Sequence, residues 1–432
     1  MKVDMMDLID FLNASPVNYL AVRTIAGILD DAGFRRVDAR GEMPAVKTGD
    51  KVYFTKNDSS IYAMHIGQLP VQEGVHMICA HCDSPTFRIK PNAEIRCEGG
   101  IVKLNTELYG GALMQTWFDR PLSLAGRVIV AGADPMQPET RLLHIKRPLL
   151  QIPNLAIHFN REANDGVKLS KQKDMLPILG IITEGMEKDN VLMNLVAEEL
   201  QVNVGDILDF DLYLYDTTPA CTFGLNQEFV SAGRLDDLSM VHAGLSALVG
   251  TLGTTPPHTR VLAIFDNEET GSMTKQGAGS PFLLFVLQRL MVANGFAGEE
   301  AFRAIENSFM ISADNAHAFH PNYAEKYDPT THPLLGGGPV VKFNASQKYA
   351  TDARGAGVFL RICDMAGVPC QRFVNHSDVA GGSTLGNILA ASIPVNGVDM
   401  GNPILGMHSI RETGSVRDQE YCIRAFSKFF EL

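Results

Sequence analysis

"RVLAIFDNEETGS", residues 260–272, decides how this chain is read. Its first half, "VLAIF", is a continuous apolar run, as expected of a strand covered on both faces in an α/β protein. Directly after it come Asp266 and the adjacent pair Glu268 and Glu269. Neighbouring carboxylates at the mouth of a buried strand repel one another and are costly to desolvate unless something positive holds them. A metal ion meets that need, so the remaining ligands should be legible elsewhere in the chain.

Two more apolar strands end in the same way. "VHMICA" (75–80) delivers His81 and, two residues on, Asp83, while "SFMISA" (308–313) delivers Asp314 and, three on, His317. In an open α/β sheet, sites gather beyond the carboxyl ends of the strands, so three such exits on one edge can converge. Asp236 and Asp237 in "GRLDD" stand where the next helix begins, and His408 lies in the Gly/Pro-rich "GNPILGMHSIRETGS". Taken singly, each has a plainer reading. An Asp at a helix start is usually a cap, Asp314 could open a turn, a lone histidine is usually a core residue, and the Glu pair could lie on a solvated loop. Together, two histidines and several carboxylates suit zinc, or manganese or cobalt, better than a thiolate structural site. The donors are enough for two metals.

The 432 residues suggest two domains, and 45% hydrophobic with 20% charged residues is the profile of a soluble, well-packed protein. A net charge of −12 argues against nucleic acid and anionic membrane surfaces as partners. The longest apolar stretch, "FLLFVL", is far short of a membrane span. The opening "MKVDMMDLIDFL" mixes acidic with apolar residues, unlike a signal peptide, and seven scattered cysteines fit reduced thiols, so a cytoplasmic location is expected. Cys79 and Cys82 form one C-x-x-C without the second pair a zinc ribbon requires. No G-x-S-x-G elbow or phosphate-binding G-x-x-x-x-G-K-[ST] loop is present.

Along the chain, Ser15 reads as an N-cap with Pro16 at the first helical position, and Gly33 as the cap that ends that helix. "KVYFT", "IYAMHIG" and "VHMICA" read as strands. From about residue 92, "IVKLN", "RVIVAG", "LLHIKR" and "ILDFDLYLYD" are short or alternating runs typical of antiparallel sheet, with one helical stretch, "TEGMEKDNVLMNLVAEELQ". After about 233 the α/β pattern resumes. The expected architecture is an α/β catalytic domain, 1–92 and 234–432, with a mixed central sheet flanked by helices, interrupted by a β-rich insertion at 93–233.

The motifs "AHCDSPTFRIKP", "NLAIHFNR", "GRLDDL", "FDNEETGSMTKQGA", "ISADNAHAFHPNY", "GGGPVVKFNASQKYATDA" and "MGNPILGMHSIRE" together resemble the bacterial-type aspartyl aminopeptidases, a family of dizinc metallopeptidases. The resemblance covers nearly the whole chain, in order. It departs from the family's usual pattern in "NHSDVAGGSTLGN", around Asp378. It implies one metal held by His81 and Asp314, another by Glu269 and His408, and Asp236 bridging two Zn²⁺, with Mn²⁺ or Co²⁺ as substitutes. Asp83 would orient the His81 imidazole. Glu268 would be the general base for attack by a water activated at the metal pair. His158, His317, Lys342 and Tyr349 match substrate-binding positions. Lys342, on "PVVKF", would be a buried cation left unpaired until an acidic substrate side chain arrives. The implied activity is removal of N-terminal Asp or Glu from peptides. The implied assembly is a homo-oligomer built from dimers, a dodecamer, with the insertion as dimerisation domain and His158 entering a neighbour's site. A neutral-residue aminopeptidase or another dizinc amidohydrolase shares the same metal chemistry. A non-catalytic metal-dependent assembly protein would not require Glu268.

Overall fold

Strand alternation accounts for the layering of the first of two units. A computed structural model describes residues 6–183, 190–296 and 298–432. These divide into Met1–Asp83, Ala220–Met407 and Glu412–Leu432 on one hand, and Ser84–Pro219 with His408–Arg411 on the other. In the first unit a nine-stranded mixed sheet runs, in spatial order, Arg35–Arg36, Lys51–Lys56, Ser60–His65, Thr259–Phe265, Val75–His81, Phe309–Ala313, Asn396–Gly401, Val340–Lys342 and Gln371–Phe373. Along Val75–His81, Ile78 and Ala80 enter one core with Leu238, Val241, Phe359 and Phe426. Met77 and Cys79 enter another with Leu283, Leu287 and Leu389. Helices Asn18–Asp31, Leu235–Gly250, Ala353–Ala366 and Val416–Glu431 supply the first layer, and Phe282–Ala293, Glu299–Glu306 and Leu385–Ser392 the second. A sheet buried on both faces needs continuous apolar runs, which is what the sequence contains. The same alternation sends the two thiols of the C-x-x-C apart, Cys79 into one core and Cys82 into the other.

Register brings the three strand exits level. Val75–His81 runs parallel to Thr259–Phe265, with Phe265 opposite His81, and parallel to Phe309–Ala313, with Ser312 opposite Cys79. Asp314, two residues past Ser312, therefore lies level with His81. All three carboxyl ends open on one edge of the sheet.

The second unit is built around an antiparallel sheet in the order Glu139–His144, Leu122–Val130, Ile207–Asp216, Thr86–Arg96, Ile101–Tyr109 and Ile178–Ile181. Its core includes Phe87, Trp117, Leu124 and Leu212, with Leu192 and Val196 from helix Val191–Leu200. Part of the stretch expected to be helical, 184–189, lies outside the described residues. The boundaries differ from 93–233 at both ends. Thr86–Arg96 already pairs within this sheet, whereas Cys221–Phe223 pairs with Phe229–Ala232, which in turn pairs with Glu412–Ser415 in the first unit. The boundary of each unit follows strand pairing, which local composition does not report.

One cap is also corrected. Helix Asn18–Asp31 starts after Val17, without a side-chain cap. Ser15 instead ends a preceding helix, Leu8–Ala14, which Asp7 caps. Gly33, at φ +79°, does close the longer helix, and the Phe34 N–H donates to the Leu29 carbonyl at 2.9 Å. Among the described residues, no helix is long and apolar enough to cross a membrane.

Candidate metal centre

The carboxylate pair is held by its backbone. After Thr259–Phe265 the chain passes through Asn267, at φ +61°, into a single 3₁₀ turn, Glu268–Thr270. Asn267 is suited to that left-handed conformation because its short polar side chain bonds locally. Its Oδ1 accepts from Thr274 Oγ1 at 2.8 Å and Gln276 Nε2 at 2.7 Å. The N–H groups of Glu268 and Glu269 donate to the two oxygens of Asp83, each at 3.1 Å. Asp83 also serves His81, whose Nδ1 lies 3.1 Å from the Asp83 carbonyl and 3.4 Å from its carboxylate. A carbonyl can only accept, so Nδ1 carries a hydrogen and Nε2 is the ring nitrogen turned to the site. One buried aspartate thus fixes two strand exits, as expected of a group orienting a metal-ligating histidine.

Asp236 and Asp237 do not cap their helix. Arg234 is the N-cap, with φ +64° and no side-chain cap bond, and neither aspartate has helical dihedral angles. Their peptide bond is cis. Both carboxylates turn into the site. Asp236 Oδ1 lies 3.5 Å from His81 Nε2, and its N–H donates to Glu412 Oε2 at 3.0 Å. Asp237 Oδ2 accepts the His81 backbone N–H at 3.1 Å, while its Oδ1 is buried without a hydrogen bond.

Asp314 is positioned by its N–H, which donates to Met400 O at 2.9 Å. Gly401 permits this closeness, since a Cβ there would stand 1.9 Å from the Asp314 carbonyl. Donor atoms of His81, Asp236, Asp237 and Asp314 all lie within 4.8 Å of one another, as do those of His81, Glu268 and Glu269. Desolvation and mutual repulsion raise the carboxyl groups: Glu268 to about 9, Asp314 upward and Asp237 well upward. Burial alone would lower His81, but Asp236, Asp237, Asp83 and Glu268 together hold it well above its ordinary range. Such a cluster is unfavourable without a cation, and its N/O donors fit zinc.

The remaining expected residues are placed as follows. Lys342 is buried, not solvent-facing, but it is not unpaired. Its Nζ is 3.3 Å from Asp314 Oδ1, donates to Asn315 O at 3.1 Å, and lies 5.4 Å from the Tyr349 ring centre. An unpaired ammonium is corrected to one paired with a carboxylate of the cluster, because burial required that partner. Tyr349 is buried, and His317 is exposed, its ring forming a T-shaped pair with Phe373 at 5.8 Å between centres. His158 and His408 belong to the second unit, where His158 is exposed and His408 Nδ1 lies 3.1 Å from the Gly111 carbonyl. Asp237 was legible only as one of two adjacent aspartates, and Glu412 and Asn315 carried no separate sequence signal. All three act by bonding to the backbone or to a neighbour of a donor, which no spacing rule encodes.

The profile of the family described as aminopeptidase I zinc metalloprotease (M18) matches residues 11–430. A probable M18 family aminopeptidase 2 of Clostridium acetobutylicum is 49% identical over 98% of each chain. Among solved structures, a chain of the cryo-EM Ape4 and Nbr1 complex is 37% identical with a TM-score of 0.94, over 98% of this chain and 84% of that one. The S. cerevisiae mApe1 dodecamer is 26% identical with a TM-score of 0.85, over 98% and 95% respectively.

Proposed function

This chain belongs to the M18 family of aminopeptidase I zinc metalloproteases and is a zinc-dependent aminopeptidase, and from that premise we propose that it preferentially removes N-terminal Asp or Glu. The observation carrying the proposal is the buried set His81, Asp236, Asp237 and Asp314 at one sheet edge, beside Glu268 and Glu269. His81, Asp236, Glu269, Asp314 and His408 are proposed to hold two zinc ions. Bound zinc supplies Lewis acidity, polarising a scissile carbonyl and acidifying water.

Glu268 is the proposed general base. It accepts the proton of the attacking water and returns it to the leaving amine. Tyr349 or His317 stabilises the developing oxyanion. Lys342 receives the acidic side chain, with His158 supplied by a neighbouring subunit of a dodecamer like that of mApe1. The β-rich unit is the proposed dimerisation domain, and the cytoplasm the proposed location.

One observation favours a second reading, a neutral-residue preference: Lys342 already has a carboxylate partner in Asp314. Hydrolysis of aspartyl- and leucyl-p-nitroanilide, with and without chelator, decides between them. Faster, chelator-sensitive hydrolysis of the aspartyl substrate is expected. The reverse order would establish the neutral specificity.

A further inference from the structure

A carboxylate outside the metal cluster ties together the segments that carry the site's other groups. Asp399, in strand Asn396–Gly401, has no exposed surface. On one side its strand pairs with Phe309–Ala313, where Ser312 stands opposite Asp399. On the other it pairs with Val340–Lys342, where Val341 stands opposite Met400, so one step further along Lys342 is level with Asp399. Val398 and Met400 enter the core with Leu238 and Phe426, and alternation turns Asp399 to the other face. Helix Leu385–Ser392 packs there so closely that a Cβ on Gly386 would stand 2.5 Å from Asp399 Oδ2.

Both carboxylate oxygens are engaged. Oδ1 accepts from the hydroxyls of Ser312 at 2.5 Å and Thr384 at 2.8 Å, and Oδ2 accepts the Ala350 N–H. The Asp399 N–H donates to Thr351 Oγ1 at 2.8 Å, and its carbonyl accepts from the same hydroxyl at 3.3 Å. Any buried carboxylate needs donors; these come from three separate segments. Ser312 leads to Asp314. Thr384, in "NHSDVAGGSTLGN", is the N-cap residue of helix Leu385–Ser392, yet its hydroxyl serves Asp399 rather than the helix. Ala350 and Thr351 directly follow Tyr349, whose ring centre is 5.4 Å from Lys342 Nζ. The connection 343–352 belongs to no helix or strand, so its path past Tyr349 depends on such tethers.

We propose that Asp399 is a positioning residue for hydrolysis, fixing Tyr349 beside Lys342 by holding the two residues after it to the strand next to Asp314. The inference rests on the role proposed above for Tyr349 at the developing oxyanion and deepens it. A group that stabilises charge in the transition state acts best when it is held in place beforehand.

The test compares metal-loaded, full-length protein with Asp399→Asn, Tyr349→Phe and the double variant. Each is assayed on aspartyl- or leucyl-p-nitroanilide, whichever the wild type hydrolyses faster, and its zinc content is measured. Asparagine keeps the shape and one oxygen for the two hydroxyls but turns an NH₂ toward the Ala350 N–H. In Asp399→Asn, kcat is expected to fall about 10- to 100-fold, the scale on which a misplaced group acts, with KM and zinc content unchanged. In the Tyr349→Phe background the same change should cost almost nothing further, because the group being positioned is gone. Thr351→Val cuts the second tether and should behave alike, with turnover restored in Thr351→Ser; this pair serves if Asp399→Asn does not fold. Equal losses in both backgrounds, or loss of zinc from Asp399→Asn, would make Asp399 a structural residue and overturn the inference while Tyr349 keeps its role. Undiminished kcat in Asp399→Asn overturns it as well. Wild-type turnover by Tyr349→Phe would instead remove the role proposed for Tyr349, and this inference with it.

Discussion

Glu268 and Glu269 are neighbours in sequence and anchored by the same carboxylate, Asp83, yet they carry different proposed roles. Glu268→Gln should keep the fold and the metal while kcat falls roughly 10²- to 10⁴-fold, the usual size of a general-base contribution. Glu269→Ala should instead weaken metal binding in a zinc titration. Reversed behaviour would mean the pair is assigned the wrong way round. Lys342 calls for a smaller effect than an isolated buried cation would. A charge-assisted contact contributes about 1.5–3 kcal/mol, but Asp314 already shares this ammonium. Lys342→Met is therefore expected to lower kcat/KM for aspartyl peptides by about 10-fold, the low end of that range, with alanyl peptides unaffected. Equal losses on both substrates would assign Lys342 to holding Asp314 rather than to specificity.

At the level of elements, Asp83 ties the exit of Val75–His81 to the turn after Thr259–Phe265. Asp83→Asn removes one of the two acceptors that the Glu turn uses. Zinc affinity should drop by about 10- to 100-fold, the range seen for groups supporting metal ligands, with circular dichroism unchanged. Unaltered affinity would show that the turn holds itself. The opposite edge of the sheet carries a different device. Arg260, fully buried, donates to Phe430 O at 2.7 Å and Thr251 O at 2.8 Å, binding the ends of helices Val416–Glu431 and Leu235–Gly250. Its Nη1 also lies 3.3 Å from His65 Nδ1, which must stay neutral to accept. Burial and Arg260 lower His65 to about 4, and burial and His258 lower His76 to about 4, from 6.5. The unfolded chain then takes up protons that the native state refuses. Stability present above pH 6.5 should accordingly be lost as pH falls toward 4. A His65→Gln, His76→Phe double variant should flatten this acid limb in thermal melts across that window. An unchanged limb would place the acid sensitivity elsewhere.

For the whole molecule, chelation followed by dialysis should abolish peptidase activity, and Zn²⁺, Mn²⁺ or Co²⁺ should restore it. Full turnover by protein shown metal-free by elemental analysis would end the metallopeptidase mechanism for this chain. The proposed assembly makes a second demand. If His158 acts in a neighbour's site, variants that separate subunits should lose catalysis even where each chain stays folded. Wild-type turnover by a verified monomer would exclude the shared site.

The sequence by itself determined the fold class and picked out most of the residues that the structure gathers at the candidate metal centre. Continuous apolar runs specify strands buried on both faces, and donors just beyond such strands can gather only at their carboxyl edge. That is why "VLAIF", "VHMICA" and "SFMISA" were enough to gather His81, Asp314 and the Glu pair. Only tertiary structure decided what surrounds them. Asp83 bonding two backbone N–H groups, Asp237 joining the cluster and Asp314 pairing with Lys342 all depend on residues far apart in the chain or on the exact path of a turn. The unit boundaries were also beyond local reading, because a strand belongs to whichever sheet completes its hydrogen bonds. Periodicity records which face of an element is buried; partners across the fold are chosen by register and close packing, which leave no periodic trace.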